Sequence, residues 1–247
     1  MLADFRTALA FLTIAPLGAG NTLGVERKAG WAFAWYPLVG GAIGVVLALV
    51  SLLPMQGAVE AFLLVSLWVV VTGGLHLDGL GDACDGLMAT VSVERRLEIM
   101  KDPRAGTWAV VGIGLLLLGK FSGLLDADAP LWPLLIAAPV AGRWAMTAAV
   151  YGFGYARSGG LGAAFRDGLG RRQVGIATVS ALGIVGVVAW WDVRVLIAVP
   201  VSLACAFGLG SWAAKRLGGG LTGDVYGMIC EVTELGCVVG VALWAPG

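Results

Sequence analysis

The chain has 247 residues, of which 59% are hydrophobic and 13% are charged, and its 16 basic and 16 acidic side chains give a net charge of zero. Soluble domains usually contain about 25% charged residues, so this composition disfavours a soluble protein and favours a bilayer-embedded one. The neutral charge does not indicate nucleic-acid binding, and four cysteines without Cys-x-x-Cys spacing indicate neither a zinc site nor a disulfide framework.

The first apolar segment covers residues 5–17. It is shorter than the ~20 residues that a membrane span needs, and it lacks the basic start and the cleavage site of a secretory signal. We therefore expect a retained helix that lies in the interface or re-enters the membrane.

Seven later stretches are apolar enough to span a bilayer. They cover residues 31–53, 58–77, 107–125, 131–152, 174–191, 194–212 and 224–244. The sequence therefore predicts an all-α, polytopic transmembrane helix bundle that forms one domain over residues 1–247. Glycines inside these stretches, as in Gly40-Gly41-x-x-Gly44, favour close helix packing over a nucleotide-binding loop.

The basic residues predict the orientation of the spans. Most of them fall in four stretches that alternate with nearly uncharged connections: Arg6, Arg27 and Lys28; Arg95, Arg96, Lys101 and Arg104; Arg157, Arg166, Arg171 and Arg172; Lys215 and Arg216. The positive-inside rule places these stretches and the N-terminus in the cytoplasm and the C-terminus outside, as expected for a multi-pass protein of the cell inner membrane.

Three carboxylates follow the second predicted span. Asp78, Asp82 and Asp85 have the spacing i, i+4, i+7, which places them on one face of a helix. Grouped carboxylates in apolar surroundings need compensation, and Mg²⁺ commonly takes one or two carboxylates, waters and substrate phosphates, so we expect a Mg²⁺ site. A solvated acidic loop is the alternative. His76, the only histidine, is either a base or phosphate-orienting group, or a hydrogen-bonded structural residue.

A second acidic group begins the last predicted span. Asp224 and Glu231 share a helix face, with Glu231 roughly 10 Å deeper, and Glu234 follows. Arg143, inside another predicted span, is an expected partner for these acids.

The loop between the two acidic groups contains Lys101 and Arg104, which either bind phosphate or simply supply cytoplasmic positive charge. The acids nearby favour phosphate binding. For the third basic stretch, anionic lipid or topology is the preferred interpretation, with anionic substrate as the alternative.

Several separated motifs carry a resemblance to a known family. They are His76-Leu77-Asp78-Gly79-Leu80-Gly81-Asp82-x-x-Asp85-Gly86, Met100-Lys101-Asp102-Pro103-Arg104-x-Gly106-Thr107, Gly142-Arg143-Trp144, and Thr222-Gly223-Asp224-x-Tyr226-Gly227 followed by Glu231. In this order they resemble the adenosylcobinamide-GDP ribazoletransferase, or cobalamin synthase, family over most of the chain. The resemblance implies a Mg²⁺-dependent membrane transferase that joins adenosylcobinamide-GDP to α-ribazole or α-ribazole 5′-phosphate and releases GMP.

The resemblance also implies roles for residues of these motifs. The implied metal ligands are Asp78, Asp82 and Asp85. The implied catalytic residues are Asp82, Asp224, Glu231 and His76. The implied substrate-binding residues are Lys101, Arg104, Thr107 and Arg143. Whether Asp224 or Glu231 completes the metal shell or accepts the hydroxyl proton stays open. Expected partners are the two substrates, membrane lipid and either a second copy or other cobalamin-pathway enzymes, with no nucleic acid.

Two alternatives belong to other classes. A CDP-alcohol phosphatidyltransferase would show Asp-Gly-x-x-Ala-Arg, whereas Asp78-Gly79 is followed here by Leu80-Gly81-Asp82-Ala83. A cation or metabolite transporter would commonly show inverted repeats and paired broken helices, and the sequence shows neither.

Overall fold

The computed structural model describes residues 2–15, 29–127, 130–157 and 166–244, and these residues are mostly helical. The helices are α1 (Leu2–Leu12), α2 (Tyr36–Val50), α3 (Gly57–Thr72), α4 (Leu75–Met88), α5 (Val93–Ile99), α6 (Thr107–Asp126), α7 (Trp132–Gly152), α8 (Arg171–Val188), α9 (Ala198–Leu203), α10 (Gly210–Arg216) and α11 (Gly223–Leu243). Short 3₁₀ segments, Ala29–Trp35 and Val193–Ile197, precede α2 and α9, and a π-helical segment, Ala204–Leu209, joins α9 to α10.

Within the described residues, 6 helical segments are long and apolar enough to cross a membrane. They are Ala29–Val50, Thr107–Asp126, Trp132–Gly152, Arg171–Val188, Val193–Arg216 and Gly223–Leu243. Helices α3 and α4 together form a bent pair that brings the number of spans to 7 if it counts as one. The prediction of a polytopic helical bundle is confirmed.

The prediction of a span over residues 58–77 was wrong in one respect, because this segment is not one continuous helix. Helix α3 ends at Thr72, and α4 begins at Leu75 after a bend of 91°. Gly73 and Gly74 have φ angles of 61° and 66°, a left-handed conformation that glycine adopts without a steric penalty. The bend therefore separates the acidic segment from the apolar helix that precedes it.

The N-terminal segment forms α1, whose 11 residues extend about 16 Å, too short to cross a bilayer. This length agrees with the expected interfacial or re-entrant helix, although residues 16–17 of that segment lie outside the described residues, as do Arg27 and Lys28. Phe5 packs edge-to-face on Trp35 with ring centroids 6.0 Å apart.

Glycines allow the central helices to approach closely, as the sequence predicted. A β-carbon added at Gly40 of α2 would lie 2.5 Å from the carbonyl oxygen of Pro139 in α7, and one at Gly44 would lie 2.5 Å from the Cα of Ile136. Any larger residue would push α2 away from α7.

A short parallel strand pair fixes the ends of two of the helices relative to each other. β1 (Gly154–Tyr155) follows α7, β2 (Gly220–Leu221) precedes α11, and Gly154 lies opposite Gly220. The backbone N–H of Ala156 donates to the carbonyl oxygen of Leu221 at 2.9 Å. The pair therefore brings the chain after α7 beside the start of α11.

Candidate functional site

Helices α4 and α11 cross at two glycines. A β-carbon added at Gly79 would lie 3.1 Å from the carbonyl oxygen of Asp224, and one at Gly227 would lie 3.0 Å from the carbonyl oxygen of His76. The backbones can therefore touch only because both positions lack a side chain. This crossing brings together the two acidic groups, which are far apart in the sequence.

The carboxylates of α4 form one electrostatic group with the first acid of α11. Asp82 lies close enough to Asp224, Asp78, Asp85 and Arg157 for the charge of each to act on it. Asp78 is exposed, and Asp82 and Asp224 are half-buried. The predicted common face of α4 is therefore present, and Asp224 extends it.

Asp85 has a specific structural contact that the sequence did not reveal. Its two oxygens accept hydrogen bonds from the backbone N–H groups of Gly106, at 2.6 Å, and Ala109, at 2.9 Å. A carboxylate at the start of a helix satisfies donors that have no partner within the helix and interacts favourably with the helix dipole. Asp85 thus caps α6 and ties the basic loop to α4.

Arg157 belongs to the site, although its basic stretch was expected to serve lipid binding or topology. Its guanidinium donates to Oδ2 of Asp224 at 2.8 Å and to the carbonyl oxygen of Met100 at 3.3 Å. The register of β1 and β2 places it there, and no local sequence pattern encodes that contact. Arg157 therefore connects the basic loop to the start of α11.

The basic loop presents its predicted phosphate-binding residues to solvent. Lys101, Arg104 and Thr107 are all exposed. Arg104 forms a bidentate pair with Asp102, with Nε–Oδ1 and Nη2–Oδ2 distances of 2.9 and 2.7 Å. Hydrogen bonds from the side chain and backbone of Arg104 lower the pKa of Asp102 to about 2. The guanidinium fork of Arg104 is therefore already held by one carboxylate.

Arg143 and Glu231 belong to a buried ionic cluster, which also contains Lys120 and Glu234. The ammonium of Lys120 lies 2.7 Å from Glu231 and 2.5 Å from Glu234, and Arg143 pairs with the other oxygen of Glu234. All four side chains are at least 94% buried. The expected pairing of Arg143 with an acid of the last span is confirmed, and neither Arg143 nor Glu231 lines the cavity described next.

A cavity of about 230 Å³ opens beside the α4–α11 crossing. Asp78, Asp224 and His76 contribute to its lining, together with aromatic and aliphatic residues of α1, α2, α7 and α11. His76 is 4% exposed, and neither of its ring nitrogens has a hydrogen-bond partner among the described residues. The alternative that His76 is a hydrogen-bonded structural residue is therefore not supported by any contact within the described residues.

The acidic face suits a hard cation by its donor chemistry, because Asp78, Asp82 and Asp224 offer only oxygen. Among the described residues, no three histidine, cysteine, aspartate or glutamate side chains stand close enough together to hold an ion by themselves. Mg²⁺ usually retains waters and uses only one or two protein carboxylates with substrate phosphates, so the residues present fit it. All four cysteines are free thiols.

The fold and the site together define an integral membrane protein with a site that is lined by carboxylates and flanked by basic residues. This site lies at one end of the helix bundle. This arrangement suits chemistry on a substrate that carries phosphate groups.

Comparison with known proteins gives the family. The family model for cobalamin-5-phosphate synthase matches residues 4–242. The chain is 40% identical over 253 residues to the adenosylcobinamide-GDP ribazoletransferase of Pseudomonas syringae, with 98% of this chain and 100% of the relative covered. It is 36% identical over 247 residues to the enzyme of that name from Roseiflexus sp., with 99% and 91% covered. No solved structure matches the chain. The chain belongs to the cobalamin-5-phosphate synthase family, as its motifs indicated.

Proposed function

We propose that this protein is a membrane transferase that joins adenosylcobinamide-GDP to α-ribazole, or to α-ribazole 5′-phosphate, and releases GMP. The family match over residues 4–242 and the names of the relatives support this reaction. The structural observation that carries it is the close crossing of α4 and α11, which joins Asp78, Asp82 and Asp224 into one acidic group. No such support exists for the phosphatidyltransferase or the transporter.

The reaction exchanges one bond at phosphorus. A hydroxyl oxygen of the ribazole bonds to the cobinamide-side phosphorus of the pyrophosphate, and the bond from that phosphorus to GMP breaks, with GMP keeping the electron pair. The hydroxyl proton passes to a base, for which we propose Asp224, since it lines the cavity and is held in position by Arg157. Such a reaction depends on in-line positioning and on charge neutralisation.

Asp78 and Asp82 are the proposed ligands of Mg²⁺, through carboxylate oxygens that leave other positions for water and substrate. Mg²⁺ held there would supply charge neutralisation for the pyrophosphate. Asp85 shares this face, but both of its oxygens already accept hydrogen bonds from the backbone at the start of α6, so we propose that it would position α6 and not hold the ion.

Arg104 and Lys101 are the proposed phosphate-binding residues of the loop. A phosphate offers the same pair of acceptors as a carboxylate, so it can replace Asp102 on the guanidinium of Arg104. Thr107 begins α6 beside this loop and offers a hydroxyl donor. For Arg143 and Glu231 the proposed role is to hold α6, α7 and α11 together by the buried cluster, and not to contact substrate.

We place the site at the cytoplasmic side of the inner membrane. Arg96 and Arg216 both donate to the carbonyl oxygen of Leu87 at the end of α4, and Arg157 reaches the loop at Met100. Basic residues from separate connections therefore converge at the end of the bundle that holds the acids, and the positive-inside rule favours the cytoplasm for that end.

The test is product formation by the purified protein in lipid vesicles. Given both substrates and Mg²⁺, the protein should form GMP and the cobamide product in equal amounts. Omission of the ribazole, or addition of EDTA, should stop both. GMP formed without an acceptor would contradict a transferase, and equal product formation in EDTA would contradict the Mg²⁺ site. The control is Asp126→Asn, an exposed acid at the opposite end of α6 from the loop, which should behave as the unmodified protein.

A further inference from the structure

The cavity beside the crossing has an aromatic wall. The rings of Phe33 and Tyr36 lie 4.4 Å apart between centroids, and Phe11 lies nearly parallel to Tyr36 at 6.4 Å. All three residues line the cavity, and Met146 and Val150 of α7 contribute aliphatic surface to it. A pocket of this kind favours a flat, largely apolar ring system.

Buried polar groups in this cavity have no partner in the described part of the chain. The hydroxyls of Tyr36 and Tyr226 and both ring nitrogens of His76 make no hydrogen bond there, and these three residues are 1%, 6% and 4% exposed. Buried side-chain polar atoms are nearly always hydrogen-bonded. Because these unpaired groups line one cavity, they indicate a ligand that brings the missing partners.

The carboxylates fix the direction in which such a ligand would lie. Asp78 and Asp224 line the same cavity as the aromatic residues, so one end of a bound molecule would meet the acids while the other end meets the rings. Tyr226 lies two residues after Asp224 in the first turn of α11, whereas the ring of Tyr36 packs against the rings of Phe11 and Phe33. The ligand therefore needs a polar, hydroxyl-bearing end and an aromatic end.

We propose that this cavity is the subsite for the acceptor's aromatic base, and that the Tyr36 hydroxyl donates a hydrogen bond to the free ring nitrogen of that base. This inference rests on the proposed function. The base of ribazole is a flat benzimidazole with one nitrogen bonded to the sugar and the other free to accept. With the benzimidazole against Phe11 and Phe33, the sugar points towards Asp224, the proposed acceptor of the hydroxyl proton.

The competing occupant is the guanine of the donor. Guanine presents several donors and acceptors along its edges, and an apolar wall would leave many of them unpaired. Besides its two carboxylates, the cavity is lined by three polar side chains. This small number of polar partners suits a benzimidazole, with its single free acceptor, better than guanine. Kinetics can separate the two occupants because each belongs to a different substrate.

The experiment measures GMP release at varied acceptor and varied donor concentrations. Tyr36→Phe removes one oxygen atom, and its control, Tyr151→Phe, alters a tyrosine that is 43% exposed and does not line the cavity. We expect Tyr36→Phe to raise the KM for the acceptor about threefold to tenfold, the range for one lost neutral hydrogen bond, without a change in the KM for the donor. Tyr151→Phe should change neither.

An acceptor with carbon in place of the free ring nitrogen, an indole riboside, completes the test. It should bind less well to the unmodified protein, and Tyr36→Phe should weaken it no further. An unchanged acceptor KM in Tyr36→Phe, or a raised donor KM instead, would overturn the inference while leaving the transferase in place. No GMP release by the unmodified protein would instead overturn the proposed function itself.

Discussion

The buried ionic cluster makes a sharp prediction about stability. Lys120 is 3% exposed within the mostly apolar helix α6, and its ammonium touches two glutamates and lies 4.3 Å above the ring of Trp68. Lys120→Met removes the cation but keeps most of the length of the side chain. Glu231 and Glu234 would then share one cation, Arg143.

The expected cost follows from the charge that is left over. Two cations face two carboxylates in the cluster, so the loss of one cation leaves one buried carboxylate without compensation. Breaking a buried ion pair by removal of one partner costs about 3–5 kcal/mol, a large part of a typical stability of roughly 5–15 kcal/mol. A second substitution, Glu231→Gln, neutralises the surplus carboxylate and should restore at least about half of the lost free energy.

The assay is reversible unfolding in mixed micelles with increasing SDS, followed by helix content. Lys215→Met serves as the control, because Lys215 is exposed near the end of α10 and should change the free energy of unfolding by less than about 0.5 kcal/mol. A Lys120→Met variant as stable as the control, or a double variant no more stable than the single one, would refute the charge-balance reasoning.

Three further predictions concern the site. Gly79→Ala, which forces a β-carbon to within 3.2 Å of the Asp224 backbone, should lower the GMP release rate at least about tenfold, whereas Gly114→Ala, with open space around it, should not. Asp85→Ala should lower the free energy of unfolding by about 1 kcal/mol through loss of the α6 cap, and Asp85→Asn by less; equal losses would contradict capping. Because the pKa of Asp102 is lowered to about 2, stabilisation by its pair with Arg104 is present above the unfolded pKa near 4 and is lost only as the pH falls towards 2. Carboxyl NMR should show no titration of Asp102 between pH 4 and 8, and Arg104→Gln should return its midpoint to near 4.

The sequence predicted the spans well because long apolar stretches between charged connections have few alternatives to membrane helices. The predicted stretch 131–152 appears as Trp132–Gly152, and 224–244 appears as Gly223–Leu243. The bend after α3 was missed because it depends on positive φ angles at Gly73 and Gly74, and consecutive glycines are equally compatible with a continuous, loosely packed helix.

The candidate site was predictable where residues share one helix. The spacing of Asp78, Asp82 and Asp85 placed them on one face, but the cap that Asp85 forms on α6 depends on tertiary structure. The pair between Arg157 and Asp224 likewise depends on the register of two strands. Lys120 is different, since a lysine within a predicted span is itself a signal that a buried acid must lie nearby.

The measurement that tests the central claim most directly is the rate of GMP release by Asp82→Asn beside Asp126→Asn, at saturating substrates and Mg²⁺. Asp82 lies among the other acids of the α4–α11 crossing, and the substitution keeps its size while it removes its charge. We predict a loss of at least about a hundredfold in Asp82→Asn, comparable to the loss of one group that stabilises transition-state charge, and none in Asp126→Asn. A folded Asp82→Asn protein that releases GMP at the unmodified rate would show that the acidic crossing is not the site of the reaction.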